Sequence, residues 1–177
     1  MRKNTRKTRV MALSSLFVAL GVVILYLGCF LEVVDLTVAA VAALLVLLAV
    51  IEISQGTAAM IWIATSILAF LLLPNKFIAV EYACLMGVYP LVKAFAERLP
   101  LVLSWAIKLL FVNLALAVMV VLGHFVFAYP IESAWLMAAT FLLATVTGVV
   151  FDIALTKLLT LYLMRLRSML RIERLLK

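Results

Sequence analysis

Long apolar runs alternate with short polar breaks along this chain, and six such runs occur. Each run is close to the roughly 20 residues that a helix needs to cross the hydrocarbon core of a bilayer. The pattern therefore predicts an all-α integral membrane bundle of six transmembrane helices in a single membrane domain, residues 1–177. The predicted spans are 10–31, 36–53, 57–73, 77–92, 101–127 and 134–164, followed by a basic amphipathic tail at 165–177.

The composition supports lipid as the solvent for most of the chain. Of the 177 residues, 69% are hydrophobic and 13% are charged, whereas a soluble domain is roughly half apolar and about a quarter charged. A soluble fold of this length has too little interior to bury so much apolar surface. We therefore expect a multi-pass protein of the cell membrane, with the lipid bilayer as its main surroundings.

Basic residues are concentrated on one predicted side of the membrane, and the net charge is +7. Residues 2–9, the connector 93–100 and the segment 157–177 hold thirteen of the fifteen Lys and Arg residues. Because positive charge accumulates in cytoplasmic loops, both termini are predicted to be cytoplasmic. Topology thus explains the charge, and nucleic acid is not expected as a partner.

Motifs of soluble catalysis are absent from the sequence. It contains no GxxxxGK[ST] loop, no HExxH, no GxSxG and a single histidine. These motifs supply phosphate binding, zinc catalysis and nucleophilic attack, respectively. We therefore predict that the chain is not an enzyme and has no catalytic residue, metal site or cofactor. ATP hydrolysis, if the protein does energised work, would come from partner subunits.

Two polar residues stand one helical turn inside the predicted outer end of the fourth span. Glu81 and Tyr82 follow Lys76 at a depth of roughly 7 Å, for a rise of about 1.5 Å per residue. Polar groups at membrane depth are costly and are functional candidates for that reason. The pattern leaves two interpretations of Glu81 open. It is either part of a site open to the outside or the partner of Lys76 in a local ion pair.

The fifth and sixth spans carry five further polar or aromatic candidates. Asn113 lies near the middle of its span and needs an internal partner, which favours an inter-helix hydrogen bond over substrate contact. His124 and Trp135 lie near the predicted outer ends, where interfacial side chains are common. Lys108 and Asp152 lie at matching depth in the cytoplasmic halves, and we predict that they form an ion pair with a structural or coupling role, not a substrate site.

Small residues recur along the first span. Ala12, Ser15 and Ala19 are joined further along by Gly21 and Gly28. Small residues spaced four apart allow helices to approach closely. This predicted surface serves either packing inside the protein or docking to another membrane protein.

The chain resembles the substrate-binding S component of energy-coupling factor (ECF) transporters. The similarity covers its size, its six predicted spans and the basic start that runs into a small-residue first helix, RKTRVMALSSLFVALGVV. Members of this family dock to a membrane coupling subunit through an AxxxA-like face of the first helix. The resemblance implies docking through Ala12, Ser15 and Ala19, with serine where the motif has its first alanine.

The resemblance also implies a ligand pocket near the outer face and an energy source outside this chain. The family builds its pocket from the first outer loop and helices four to six, and two partner ATPases hydrolyse ATP. Carried over by region, the implied ligand-binding residues are Glu32, Asp35, Asn75, Glu81, Tyr82, Asn113, His124 and Trp135.

The expected function is capture of a vitamin-like micronutrient on the outer face for ATP-driven uptake. Its partners would be the small-molecule substrate, a membrane coupling subunit and two ATPase subunits. One alternative is a non-transport membrane scaffold similar to the cell-shape protein MreD, which would lack an outward pocket. Another is a small independent transporter, which would require a continuous polar path through the membrane.

Overall fold

The structure, a computed structural model, describes residues 2–30, 35–127 and 133–166, which form helices joined by short connectors, with no strand among them. Two short π-helical segments, Tyr82–Met86 and Tyr162–Leu166, follow the fourth and the last α-helix. The α-helices are α1 (Arg2–Gly28), α2 (Asp35–Glu52), α3 (Gln55–Leu72), α4 (Lys76–Glu81), α5 (Tyr89–Ala96), α6 (Leu101–Phe127) and α7 (Ala134–Leu161).

Six helical stretches are long and apolar enough to cross a membrane. The predicted all-α chain with six membrane-spanning helices is therefore confirmed, and the protein is a multi-pass membrane protein. Residues 167–177, which make up most of the predicted amphipathic tail, lie outside the described residues. The stretches are Lys7–Gly28, Asp35–Glu52, Gln55–Leu72, Lys76–Ala96, Leu101–Val126 and Ala134–Met164.

The fourth stretch is longer than the sequence indicates. The apolar pattern ends it near Val92, with Lys93 in a polar connector, but α5 continues to Ala96. The Lys93 side chain is buried, with a relative exposure of 2%. The carboxylates of Glu97 and Asp152 neutralise its charge, so the helix can continue through this lysine.

Polar side chains define where α3 and α4 begin. The Ser54 hydroxyl accepts a hydrogen bond from the backbone N–H of Thr57 at 3.2 Å, and the Asn75 side-chain oxygen accepts one from the N–H of Phe77 at 3.0 Å. Such caps satisfy backbone donors that have no partner within the helix. Asn75 therefore has a capping role in addition to its predicted place near the ligand.

The chain divides into two compact units, of which the first is Met1–Leu91 with Lys157–Lys177. Within its described residues, α1, α2 and α3 pack against one another. The contacts use small side chains, since Ala39, Ala42 and Ala43 of α2 are fully buried. Such residues let helix backbones approach closely in a membrane.

The second unit, Val92–Thr156, contains the end of α5, all of α6 and most of α7. Gly148 of α7 lies against the Val112 side chain of α6. Only Asp152 and Leu155 are buried among the α7 side chains. Most of α7 therefore presents exposed apolar side chains, as a lipid-facing helix does.

Candidate functional site

A buried charge cluster joins three helices of the second unit. The Lys93 ammonium lies 2.6 Å from Asp152 Oδ1 and 2.8 Å from Glu97 Oε1, and it donates a hydrogen bond to the Thr156 hydroxyl at 2.8 Å. The Lys108 ammonium lies 3.0 Å from Asp152 Oδ2 and 3.6 Å from Glu97 Oε1. Two cations and two carboxylates thus neutralise one another. Only Glu97 is substantially exposed, with 44% of its side chain accessible.

The predicted Lys108–Asp152 ion pair is confirmed, but it is half of a larger arrangement. Each oxygen of Asp152 faces a different lysine, so one carboxylate bridges α5 and α6 from its place on α7. The apolar pattern places Lys93 in a connector, and it indicates no contact with Thr156. The spacing of Lys93 and Glu97 was an available signal, because residues four apart on a helix are neighbours.

Asn113 is engaged in the inter-helix hydrogen bond that its position favoured. Its side-chain amide donates to the Thr145 hydroxyl at 3.1 Å and to the backbone carbonyl of Leu109 at 2.9 Å. The Thr145 hydroxyl is 2.8 Å from the carbonyl of Phe141, one turn earlier in α7. The arrangement links α6 to α7. Together with the charge cluster, it pairs the polar groups Lys108, Asn113 and Asp152 of these spans with neighbouring side chains.

Glu81 is buried in the first unit, with a relative exposure of 7%. Its Oε2 atom has no hydrogen-bond partner within the described part of the chain. Asp35 is the first residue of α2, and α2 packs against α4, which ends at Glu81. Two of the predicted ligand residues thus lie on helices that contact each other, although they are far apart in sequence.

Lys76 does not form the ion pair with Glu81 that was one of the two interpretations. Its ammonium donates hydrogen bonds to the backbone carbonyls of Phe70 and Leu73, each at 2.7 Å. These carbonyls belong to the last turn of α3 and its cap. A cation at a helix C-terminus interacts favourably with carbonyls that have no partner in the helix. Within the described ranges, Glu81 thus has no ion pair with a lysine.

Tyr82 begins the π-helical segment and is buried, with a relative exposure of 1%. Its ring lies against Gly87, where a Cβ atom would come within 2.7 Å of Tyr82 Cζ. The Trp62 indole N–H donates to the carbonyl of Ala83 inside this segment at 3.1 Å. The contacts fix the wide turn directly after Glu81. The sequence analysis gave Trp62 and Gly87 no such role.

Two of the remaining predicted ligand residues lie in the second unit. His124 and Trp135 are exposed, near the end of α6 and the start of α7 in the second unit. The His124 ring contacts the edge of Phe125, and Trp135 has a relative exposure of 71%. This placement suits the interfacial role that was the alternative for both. Glu32 lies outside the described residues.

The small residues of α1 fall on two different sides of the helix. Gly21 and Gly28 are buried, the first against Thr65 and the second against Val38. Ala12, Ser15 and Ala19 are exposed. The spacing of the five residues predicts a single surface. The structure divides it into an internal side formed by the two glycines and an outward side formed by the other three.

An apolar groove of about 560 Å³ runs beside that outward side, between α1 and α3. The groove stays apolar at Ser15, because the Ser15 hydroxyl donates a hydrogen bond to the backbone carbonyl of Ala12 at 3.0 Å. We call this surface the α1–α3 groove. It is lined by Ser14, Ser15, Val18, Ala19, Val22, Met60, Ile61, Ala64, Leu68 and Leu72.

The side chains that the structure describes contain no group of three or more His, Cys, Asp or Glu residues that could hold a metal ion. The two polar clusters therefore differ in what they can do. The cluster around Asp152 is neutralised from within, whereas Glu81 has a buried oxygen with no hydrogen-bond partner among the described residues. No protein-family model, no curated protein and no solved structure matches this chain significantly.

Proposed function

We propose that the protein is a membrane-embedded binding subunit that captures a small molecule on the outer face for uptake driven by partner subunits. The partners are a membrane coupling subunit and two ATPases, as the resemblance to ECF S components implies. In this proposal both termini are cytoplasmic, and the end of the first unit that carries Asp35 and Glu81 faces outward. The substrate is vitamin-like in size.

The observation that carries the proposal is the exposure of Ala12, Ser15 and Ala19 beside the α1–α3 groove. A helix that used these residues for internal packing would bury them, as it buries Gly21 and Gly28. Exposed small residues instead allow the backbone of a second helix to approach closely. This surface fits a helix of the coupling subunit.

Co-purification from the native membrane tests the docking step. The wild-type chain should recover two ATPases and a membrane coupling subunit, and Ala19→Trp should lose them because the indole fills the groove. Leu20→Trp is the matched control, since Leu20 is exposed on the same helix but does not line the groove. Equal recovery by both variants would contradict docking at this surface.

Small-molecule retention tests the binding step separately. Mass spectrometry of the purified chain should detect a retained compound of vitamin size. Ala19→Trp should keep it, because the α1–α3 groove is not the ligand site. Loss of both the compound and the partners in Ala19→Trp would mean that the residue is needed for folding, and unfolding temperature would report this directly.

A membrane scaffold is the second candidate, and the exposed face of α7 favours it. Most α7 side chains are exposed, including Leu142 and Leu143 at about 70%. Such a helix can contact other membrane proteins as readily as lipid. Recovery of cell-wall machinery without ATPases, and with no retained small molecule, would support the scaffold and exclude the transport proposal.

A further inference from the structure

Glu81 has a buried side chain, and one of its carboxyl oxygens accepts no hydrogen bond from the residues that the structure describes. Its relative exposure is 7%, and its Oε2 atom has less than 1 Å² of accessible surface. A buried acceptor that lacks a donor costs free energy, and the cost is much larger when the group is charged. The ionised form of this carboxyl is therefore unfavourable at the place where the fold holds it.

Within the described ranges, Glu81 forms no ion pair with a lysine or an arginine. Lys76, the cation nearest to it in sequence among those residues, directs its ammonium to the backbone carbonyls of Phe70 and Leu73. Buried charges in proteins are normally paired or bound to a metal. The described side chains contain no group of three or more His, Cys, Asp or Glu residues for a metal ion. An ionised Glu81 would thus lack both forms of compensation from this part of the chain.

Four elements pack against α4, and their titratable groups do not compensate a charge on Glu81. These elements are α1, α2, α3 and the π-helical segment Tyr82–Met86. The two cations on them, Lys7 and Arg9, are not paired with Glu81. Among the side chains that the structure describes, α3 carries no titratable group, and those of the other three elements are Lys7, Arg9 and Tyr26 on α1, Asp35 and Glu52 on α2, and Tyr82 and Cys84 in the π-helical segment.

The backbone that carries Glu81 continues directly into that π-helical segment, which is held by hydrogen bonds on both sides. The Tyr82 N–H donates to the carbonyls of Ile78 and Ala79. The Trp62 indole N–H of α3 donates to the carbonyl of Ala83 at 3.1 Å. Segments of this kind are frequent at functional sites. Because the backbone is held in this way, Glu81 reaches water only if the packing of α4 and the π-helical segment opens.

We propose that Glu81 is a proton-binding site, at which the folded protein holds the carboxyl in its neutral form. The proton replaces a buried charge with a neutral group, whose burial costs far less. Loss of the proton leaves an unpaired negative charge in the first unit and favours opening of the packing around the π-helical segment. Proton binding and folding of this unit are therefore coupled. The site goes beyond the proposed function, because it requires no organic ligand and no partner subunit.

The direction of the pH dependence follows from which state binds more protons. The folded protein keeps the proton of Glu81 over a pH range in which the unfolded chain has lost it. Stability therefore falls as the pH rises through that range. There the unfolding equilibrium constant should rise about tenfold more per pH unit in the wild-type chain than in Glu81→Gln, which is the slope expected for one proton.

Infrared spectroscopy of the full chain in lipid nanodiscs detects the proton directly, because a protonated carboxylic acid has a carbonyl stretch that a carboxylate lacks. We expect the wild-type chain to show this band at neutral pH and Glu81→Gln to lose it. Glutamine keeps the shape of the neutral carboxyl and cannot be ionised, so this variant should fold. Heavy-carbon labelling of the glutamate carboxyls should shift the band in the wild-type chain, which assigns it to glutamate without any substitution.

Glu97→Gln is the matched control, since Glu97 is a carboxylate of the other unit that pairs with Lys93 and is 44% exposed. It should keep both the infrared band and the pH slope of the wild-type chain. The slopes come from reversible unfolding in micelles over a series of pH values. A band that survives Glu81→Gln, a wild-type chain without a label-sensitive acid band, or equal pH slopes for the wild-type chain and Glu81→Gln would overturn the proposal. Each of these results would mean that Glu81 is ionised in the folded protein.

Discussion

The two units of this protein hold their helices together in different ways. In the first unit, small residues such as Ala42, Ala43 and Gly28 allow α1, α2 and α3 to pack closely. In the second unit, α6 and α7 are joined by polar side chains, above all at Asp152 and Asn113. Both are recognised solutions in a bilayer, where burial of apolar surface does not drive helices together.

The difference bears on where the proposed ligand site lies. Close packing in the first unit leaves few polar groups there. Glu81 stands out because its buried Oε2 has no hydrogen-bond partner among the residues that the structure describes. The second unit has more charged groups at membrane depth, but they satisfy one another. A count of polar residues would favour the second unit as the binding region, whereas the bonding pattern favours the first.

The largest expected effect comes from removing the carboxylate that bridges the second unit. Asp152→Ala leaves Lys93 and Lys108 facing each other at membrane depth. Breaking a buried ion pair in this way costs about 3–5 kcal/mol. We expect a large fall in the unfolding free energy, measured in micelles by reversible denaturation.

Glu97→Ala is the matched control for that change. It removes one carboxylate from the same two lysines, but Glu97 is half exposed, so its loss should cost only about 0–1 kcal/mol. Similar losses for the two variants would contradict the view that burial makes Asp152 the main support of the second unit.

The hydrophobic pattern was sufficient to predict the six spans, because a helix must satisfy its own backbone groups in lipid and only a long apolar run can do so. It could also pair Lys108 with Asp152, since depth follows directly from position along each span. The hydrophobic pattern ended the fourth span too early, because a lysine is classed as polar when its partners are not known. Asp152 and Thr156, which bury Lys93, are about sixty residues away in sequence.

The candidate site was predictable only in part for a similar reason. Membrane depth identified Glu81, but the contact between its helix and that of Asp35 depends on how helices pack. Lys76 looked like its partner because the two are close in sequence, whereas the end of α3 offered that lysine better acceptors. The division of α1 into two sides could be predicted from the sequence. At about 3.6 residues per turn, Gly21 and Gly28 fall opposite Ser15 and Ala19.

A smaller effect is expected from breaking the close packing of the first unit. In Gly28→Ala the new methyl group would come within 2.7 Å of Val38 Cγ1. Overpacking of this kind costs about 1–3 kcal/mol. Reversible unfolding should therefore show a clear loss of stability that has nothing to do with charge.

Gly56→Ala provides the control for that substitution. A Cβ atom at Gly56 would meet nothing within 4 Å, and Gly56 lies in the first turn of α3. Alanine is the better helix former by roughly 1 kcal/mol, so this variant should be neutral or slightly more stable. If Gly28→Ala behaved in the same way, α1 and α2 would not be held together by close approach.

The smallest effect should come from breaking the hydrogen bond between Asn113 and Thr145. This change tests whether uncharged polar contacts stabilise the second unit. Inter-helix hydrogen bonds in membranes average about 0.6 kcal/mol in double-mutant cycles, because the unfolded chain in lipid also finds partners. We expect a coupling of this size for Asn113→Leu and Thr145→Val, measured by reversible unfolding of both single variants and the double variant. A coupling as large as the loss in Asp152→Ala would mean that neutral hydrogen bonds hold α6 and α7 together as firmly as the ion pairs do. A coupling near zero would leave Asp152 as the polar group that joins these helices.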